Sequence, residues 1–283
     1  MRKETFFRAV LRAMDDGGVS FLIGGSRALS VHTGVTQMFR ARDLDLMIRP
    51  CDWLRAARAL RTAGIDAELS FPHWLGKARR GSAQVDLIFS SGNGVATVDD
   101  AWFRRAVPAH VLGADVRIVP PEELLWSKAF VMERERFDGA DVLHLMVLLG
   151  NRLDWRHLLK RFRGHEPVLL AHVVLFHYVY PGRADWLPRW LLGTLFRAAS
   201  PRARVGPYRR LCRGTLLSRQ QYLVDVTKWG LIDGRRPPFG KLSDRDLAIW
   251  TAAIEGNRAR AIRTKRPMTI DDPAVSHRVS RAR

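Results

Sequence analysis

The feature that most constrains the fold of this chain is a change of pattern at Pro120. Before it, short apolar runs typical of strands alternate with stretches whose apolar residues have helical spacing. After it, the pattern is helical to about residue 262. Alternating strands and helices are typical of an α/β sheet. We therefore predict an α/β core in residues 1–119, a mainly helical region in 120–263 and a disordered basic tail in 264–283.

The charge of the chain is concentrated in its second half. Of the 283 residues, 47 are Lys or Arg and 28 are Asp or Glu, which gives a net charge of +19. Residues 1–150 hold 20 basic and 18 acidic residues, whereas residues 151–283 hold 27 and 10, a net charge of +17. Such a region can bind a polyanion such as RNA, DNA or a membrane surface. An arginine-rich composition is an equally good explanation, since 40 of the 47 basic residues are Arg.

Cysteine content and hydropathy indicate a cytoplasmic protein. Cys51 and Cys212 are too few for a disulfide framework or a zinc site. The N-terminal segment has no uninterrupted apolar signal core. The most apolar stretch, Pro167 to Tyr180, is shorter than the roughly 20 residues of a transmembrane helix. We therefore predict a reducing compartment and no membrane partner.

The pattern also predicts individual elements. Ser26 and Asp52 stand where they could cap the helices that follow them. Residues 211–236 mix polar and aromatic side chains densely, and no role is assigned to them. Predicted strands are 19–23, 43–48, 66–70, 76–80, 83–89 and 116–119, and predicted helices are 5–15, 27–32, 53–63, 121–136, 138–149, 154–163, 167–179, 187–199, 218–229 and 243–262.

Three aspartates lie on predicted strands. Asp43 and Asp45 are two residues apart, so their side chains project from the same face, and Asp86 lies on a later strand between apolar neighbours. Carboxylates beside an apolar sheet are costly unless a cation offsets them. Oxygen ligands suit Mg²⁺, and three carboxylates could hold two such ions about 3.5–4 Å apart.

A glycine turn precedes these acids. Gly24-Gly25-Ser26 joins a predicted strand to a predicted helix. Glycines let the backbone approach a phosphate closely, and a helix N-terminus presents free N–H groups to it. The Ser26 hydroxyl could donate a further hydrogen bond. Turn and acids together fit a nucleoside triphosphate with its metal ions.

In this order the motifs resemble the DNA polymerase beta-like nucleotidyltransferase superfamily. Sixteen residues separate Gly24-Gly25-Ser26 from Asp43-Leu44-Asp45, and the resemblance covers about residues 19–150. It is greatest to small bacterial branches of the abortive-infection, toxin and aminoglycoside-modifying types. The segments Pro120–Lys128 and Asp138–Leu149 are similar to the helix pair after the family's core. The resemblance implies a nucleotidyltransferase-type mixed sheet with flanking helices, followed by a mainly helical, basic C-terminal region.

The implied activity is Mg²⁺-dependent transfer of a nucleoside monophosphate from a nucleoside triphosphate, ATP included, to an acceptor hydroxyl, with release of pyrophosphate. Asp43 and Asp45 would hold two metal ions, and Asp86 would hold the catalytic one and help to deprotonate the acceptor. Gly24, Gly25, Ser26 and Lys128 would bind the nucleotide. The basic C-terminal half favours a nucleic-acid acceptor such as a tRNA end, while a small hydroxylated molecule or a protein side chain stays open.

Two departures from the family pattern bear on the acceptor. The spacing between the glycine turn and the acids is longer than usual and includes residues 37–39. Ala41 stands where the toxin branch has Thr or Ser. Two other functions stay open: a glycosyltransferase whose Asp-x-Asp binds a metal, and a non-catalytic nucleic-acid-binding protein with a degenerate nucleotidyltransferase fold.

Several further residues have two interpretations each. Asp141 could orient Lys128, although a charge at a helix N-terminus is the favoured explanation. Arg27, Arg40 and Arg42 could bind phosphates or be solvated. His32 is interpreted as a packing residue. The basic segment 202–213 could bind an RNA backbone or be a solvated linker. The oligomeric state is left open.

Overall fold

The computed structural model of the protein describes residues 3–35, 43–199 and 206–255. The α-helices in these residues are α1 (Lys3–Asp16), α2 (Gly25–Thr33), α3 (Trp53–Thr62), α4 (Asp100–Arg104), α5 (Pro121–Lys128), α6 (Gly139–Leu149), α7 (Trp155–Arg161), α8 (Glu166–Val179), α9 (Arg189–Ala199), α10 (Leu223–Thr227) and α11 (Asp244–Glu255). The strands are β1 (Leu22–Ile23), β2 (Leu44–Met47), β3 (Asp66–Phe71), β4 (Leu75–Arg80), β5 (Ala83–Ile88), β6 (Val107–Val111), β7 (Ala114–Ile118), β8 (Leu211–Cys212) and β9 (Ile232–Asp233).

Strands β1 to β7 form one mixed sheet in the order β3-β4-β5-β2-β1-β7-β6. The β2–β5 and β1–β7 pairs are parallel and the other pairs are antiparallel. This sheet with flanking helices confirms the predicted α/β class, and the basic region that follows is mainly helical. Within the described residues, no helix combines the length and the apolar character needed to span a bilayer.

Alternation along the central strands separates a core face from a polar face. Leu44 and Leu46 of β2 are fully buried, as are Val85 and Leu87 of β5, while the aspartates between them are half-buried on the opposite face. Helix α3 covers the core face, where the Trp53 ring lies so close to β4 that a Cβ on Gly76 would fall 2.0 Å from it. The acids therefore project away from the core.

The chain divides into two compact units. The first contains Met1–Phe130 and Asp138–Ser200, and the second contains Val131–Phe137 and Pro201–Arg283. The first unit thus includes helices α5 to α9 together with the sheet. The predicted division of the sequence after residue 119 stays a prediction, and the predicted tail 264–283 lies outside the described residues.

The second unit includes the segment 211–236, to which the sequence assigned no role. Strands β8 and β9 pair in parallel there. Asp233 is buried, and its carboxylate accepts hydrogen bonds from Thr215 at 2.8 Å and from Arg235 at 2.7 Å. The Arg235 contacts lower the pKa of Asp233 against the opposing effect of burial, so the carboxylate is held in its charged form. This part of the segment is therefore structural.

Several predicted boundaries are wrong. Helix α5 ends at Lys128 instead of residue 136, because the residues after it join the second unit, where Glu133 accepts a hydrogen bond from Ser218. Strand β6 was not predicted, since Pro108 weakens its strand pattern. Proline is tolerated there because β6 is at the edge of the sheet.

Both predicted helix caps are also wrong. Helix α2 begins at Gly25, so Ser26 lies inside the helix, and no side chain caps it. Asp52 occupies the position before α3 but makes no capping hydrogen bond. Its carboxylate instead forms an ion pair with Arg49 at 3.3 Å.

Candidate active site

Two of the three predicted aspartates are direct neighbours in the sheet. Strands β2 and β5 are parallel, and Asp45 is the register partner of Asp86. Partners in adjacent strands lie about 5 Å apart, and their side chains project from the same face. The structure therefore brings these two carboxylates to one place, although 40 residues separate them in the sequence.

The glycine turn lies against the first of them. The Gly24 N–H donates to the backbone carbonyl of Asp45 at 2.9 Å. Gly25 has φ of +56°, and a Cβ there would fall 1.7 Å from Oδ2 of Asp45. Only glycine fits this backbone conformation beside this carboxylate. The N-terminus of α2, which begins at Gly25, is thus placed next to an acid of the pair.

Asp43 is exposed and directly precedes β2. It lies in a bend outside the strand, so the predicted common face of Asp43 and Asp45 stays a prediction. The residues before it, including the predicted phosphate ligands Arg40 and Arg42 and the departures at 37–39 and Ala41, lie outside the described residues. In the part of the chain that the structure describes, no three His, Cys, Asp or Glu side chains are grouped closely enough to hold a metal ion.

Asp86 has two neighbours that the sequence analysis missed. Oδ1 of Asp86 accepts a hydrogen bond from Nε2 of Gln84 at 2.8 Å and lies 3.5 Å from Nζ of Lys77. Lys77 is the register partner of Asp86 on β4. The two-residue Gly81-Ser82 connection between the predicted strands could have shown this, because a two-residue hairpin fixes which residues lie opposite each other.

Lys128 is buried and forms ion pairs with Asp138 at 3.0 Å and Asp141 at 2.7 Å. Asp141 therefore does contact Lys128, which is the less favoured of its two predicted interpretations. It also lies in the first turn of α6. The ammonium group joins the end of α5 to the start of α6.

A second cluster of charges surrounds α5. The Glu123 side chain is fully buried and accepts from His157 at 2.8 Å and from Arg161 at 2.8 Å. Arg161 also binds the Asp99 carboxylate at 2.6 Å. Although burial acts to lower the pKa of Arg161, the hydrogen bonds that it donates to Asp99 and Glu123 raise this pKa well above its usual value. Each of these charges has a partner, as packing of α5 against α7 requires.

Two predicted residues near α2 are half-buried. Burial lowers the pKa of Arg27, while Glu4 and Asp45 act in the opposite direction. Its guanidinium lies over the Phe7 ring at 5.3 Å. Nε2 of His32 is 2.7 Å from the Val119 carbonyl oxygen, and burial lowers its pKa. His32 is a packing residue, as predicted.

A mixed sheet thus carries a glycine turn beside one aspartate and, on the adjacent parallel strand, a second aspartate in register with the first. These are features on which the predicted resemblance rests, and the structure brings two of its three aspartates together with the turn.

Comparisons with known proteins give structural neighbours only. No protein-family model matches the chain, and no curated protein sequence matches it. The solution structure of the antibiotic-resistance factor ANT(2'')-Ia matches with 19% identity and a TM-score of 0.40, covering 60% of this chain and 95% of its own. A crystal structure of ANT(2'')-Ia in complex with adenylyl-2''-tobramycin matches with 18% identity and a TM-score of 0.40, covering 58% and 98%.

A third neighbour is an antigenic nucleotidyltransferase-like protein from Paracoccidioides brasiliensis. Its crystal structure matches with 16% identity and a TM-score of 0.33, covering 60% of this chain and 91% of its own.

Proposed function

We propose that this protein is a nucleotidyltransferase that moves a nucleoside monophosphate from a nucleoside triphosphate to an acceptor hydroxyl and releases pyrophosphate. The observation that carries the proposal is the register pairing of Asp45 with Asp86 beside the Gly25 turn. A carboxylate pair next to a helix N-terminus suits a ligand that brings phosphates and divalent ions together.

The donor set fits Mg²⁺ bound by protein and substrate together. Asp45 and Asp86 supply hard oxygen ligands from one face of the sheet, and Mg²⁺ in such sites takes one or two carboxylates plus substrate phosphates. Asp43, which directly precedes β2, is the proposed third ligand, and it would have to approach Asp45 and Asp86 more closely to bind the same ion. When bound, two Mg²⁺ ions would neutralise charge on the phosphates and the leaving pyrophosphate.

The residues of the chain would then position the nucleotide phosphates and deprotonate the acceptor hydroxyl. Backbone N–H groups at Gly25 and Ser26, with the Ser26 hydroxyl, would bind the phosphates at the start of α2. Gly24 would shape the turn, since its own N–H is donated to the Asp45 carbonyl. Lys128 would bind phosphate from the end of α5, which requires that its ammonium group leave at least one of its two aspartates. Asp86 would accept the proton of the acceptor hydroxyl, whose oxygen forms a bond to the α-phosphorus as the bond to pyrophosphate breaks.

The positive charge of residues 151–283 supports RNA, such as a tRNA end, as the acceptor, since this region contains 27 basic residues and only 10 acidic ones. A small hydroxylated molecule and a protein side chain are the other acceptors to test. ATP is the first nucleotide to test, and a cytoplasmic location is part of the proposal.

The contact between Gly25 and Asp45 supports this function over a glycosyltransferase with an Asp-x-Asp metal site. In a glycosyltransferase, nothing requires a helix N-terminus packed directly against the acid. The following experiment distinguishes an enzyme from a non-catalytic nucleic-acid-binding protein with a degenerate nucleotidyltransferase fold.

Purified protein is incubated with each α-³²P-labelled nucleoside triphosphate, with and without Mg²⁺, and with total RNA, protein or small metabolites as acceptors. We expect labelled product and pyrophosphate only with Mg²⁺. Asp45→Asn and Asp86→Asn should each lower the rate by about 10³-fold or more, because each removes a charged ligand at the reacting phosphate.

The matched control is Asp115→Asn, an exposed aspartate on β7 of the same sheet. It should keep the wild-type rate. Transfer that survives both Asp45→Asn and Asp86→Asn would contradict the proposal. RNA binding that persists without any transfer would favour the non-catalytic alternative.

A further inference from the structure

The carboxylate of Asp86 is held by one of its two oxygens. Oδ1 accepts the hydrogen bond from Gln84 at 2.8 Å and faces the ammonium group of Lys77 at 3.5 Å. Among the residues that the structure describes, none donates a hydrogen bond or forms an ion pair with Oδ2. One oxygen is therefore fixed, and the other is available to a ligand.

The sheet explains why these groups meet. The antiparallel β4–β5 pair puts Lys77 opposite Asp86, and alternation puts Gln84 on the same face of β5. Arg79 lies opposite Gln84 and donates from Nε to Oε1 of Gln84 at 3.3 Å. Because arginine can only donate, the amide oxygen of Gln84 is directed to Arg79 and its NH₂ group to Asp86. Arg79 is held in turn by Glu68 at 3.1 Å.

We propose that Lys77 and Gln84 are positioning residues of the transferase: they hold Oδ1 of Asp86 so that Oδ2 faces the substrate, and the charge of Lys77 also sets the affinity for divalent ions. The inference rests on the proposed function. It assigns a role to two residues that the nucleotidyltransferase resemblance did not include.

The charge of Lys77 matters because this pair is only partly hydrated. The side chains of Lys77 and Asp86 are 20% and 23% exposed, so their interaction is screened less than that of a surface pair. A positive charge 3.5 Å from a ligand oxygen opposes binding of a second cation to the same carboxylate. Gln84 is neutral and holds the oxygen without this opposition.

The difference in charge between the two residues gives the experiment. Mn²⁺ binding without nucleotide is measured by electron paramagnetic resonance, and kcat for transfer is measured at saturating Mg²⁺. Lys77→Met should tighten Mn²⁺ binding about five- to tenfold and lower kcat about tenfold. Gln84→Met should lower kcat by a similar factor and leave Mn²⁺ affinity within about twofold of wild type.

Two variants serve as controls. Lys160→Met removes the same charge from an exposed position on α7 and should change neither quantity. Lys77→Arg keeps the charge and should keep Mn²⁺ affinity close to that of wild type. Circular dichroism and thermal unfolding show whether each variant is folded, and Lys77→Gln replaces Lys77→Met if that variant does not fold.

Unchanged kcat in both Lys77→Met and Gln84→Met would overturn the positioning role, and unchanged Mn²⁺ affinity in Lys77→Met would overturn the role of charge. If Asp45→Asn abolishes Mn²⁺ binding and transfer while these variants behave like wild type, only this inference fails. If the wild-type protein neither binds Mn²⁺ nor transfers label, the proposed function fails with it.

Discussion

The first unit contains two sets of acidic side chains with opposite surroundings. Glu123 is fully buried, and His157 and Arg161 both contact its carboxylate. Asp86 is half-buried and lies beside a second aspartate on the neighbouring strand, and the residues that the structure describes form hydrogen bonds or ion pairs with its Oδ1 alone. The first arrangement satisfies a charge that packing has buried. The second keeps like charges together on the face of the sheet that turns away from the core.

This difference separates a structural acid from a candidate functional one. A buried carboxylate with a full set of partners stabilises the native state only as long as the partners are present. Two adjacent carboxylates repel each other, and this repulsion offsets what Asp86 gains from its ion pair with Lys77. Such locally unfavourable arrangements are expected at functional sites.

The largest effect is expected where the glycine turn meets the aspartate pair. Gly25→Ala should lower the transfer rate by about 10³-fold, because its Cβ would overlap Oδ2 of Asp45 and displace a metal ligand. Gly81→Ala is the control, since Gly81 has a similar φ of +59° with no atom within 4 Å of the added Cβ. Both variants strain the backbone by about 1 kcal/mol. Equal activities for the two would show that the close approach has no functional role.

The second largest effect is expected in the stability of the protein when either Glu123 or Asp86 is replaced by its amide. Glu123→Gln should lower the free energy of unfolding by about 3 kcal/mol, because it leaves the Arg161 and His157 groups with a weaker partner in a buried site. Asp86→Asn should change it by less than about 1 kcal/mol, because it removes a repulsion as well as an ion pair. Urea denaturation of wild type and both variants measures these changes in the free energy of unfolding. A similar loss in both would remove the distinction between the clusters.

The smallest effect is expected in the pH dependence of the structural cluster. Hydrogen bonds from Arg161 lower the pKa of Asp99 below its value of about 3.9 in the unfolded chain. The stability that it contributes is therefore present above about pH 4 and is lost as the pH falls through its folded-state pKa. Asp99 is 49% exposed, so the contribution is below about 1 kcal/mol.

Unfolding free energies of wild type and Asp99→Asn, measured from pH 3 to pH 7, test this. The difference between the two proteins should be greatest at neutral pH and shrink toward pH 3. A difference that grows as the pH falls would contradict the assignment of Asp99 to the paired cluster.

Local sequence patterns were sufficient for most elements of the first 119 residues. Apolar alternation located β3, β4 and β5 to within a residue or two, because hairpin strands with one buried face repeat every second residue. The same reasoning failed at β6, an edge strand that contains Pro108 and forms a local hairpin with β7. It also failed at the end of α5, where contacts with distant residues such as Ser218 decided the structure.

The sequence by itself determined the α/β alternation and the glycine turn, since these depend on local spacing. Only the tertiary structure decided that β2 lies beside β5, which places Asp86 opposite Asp45, and that the Lys128 ammonium group is held by Asp138 and Asp141. The physical reason is that strand neighbours and ion pairs are chosen by hydrogen bonds and burial between residues far apart in the chain, and local periodicity contains no information on those choices.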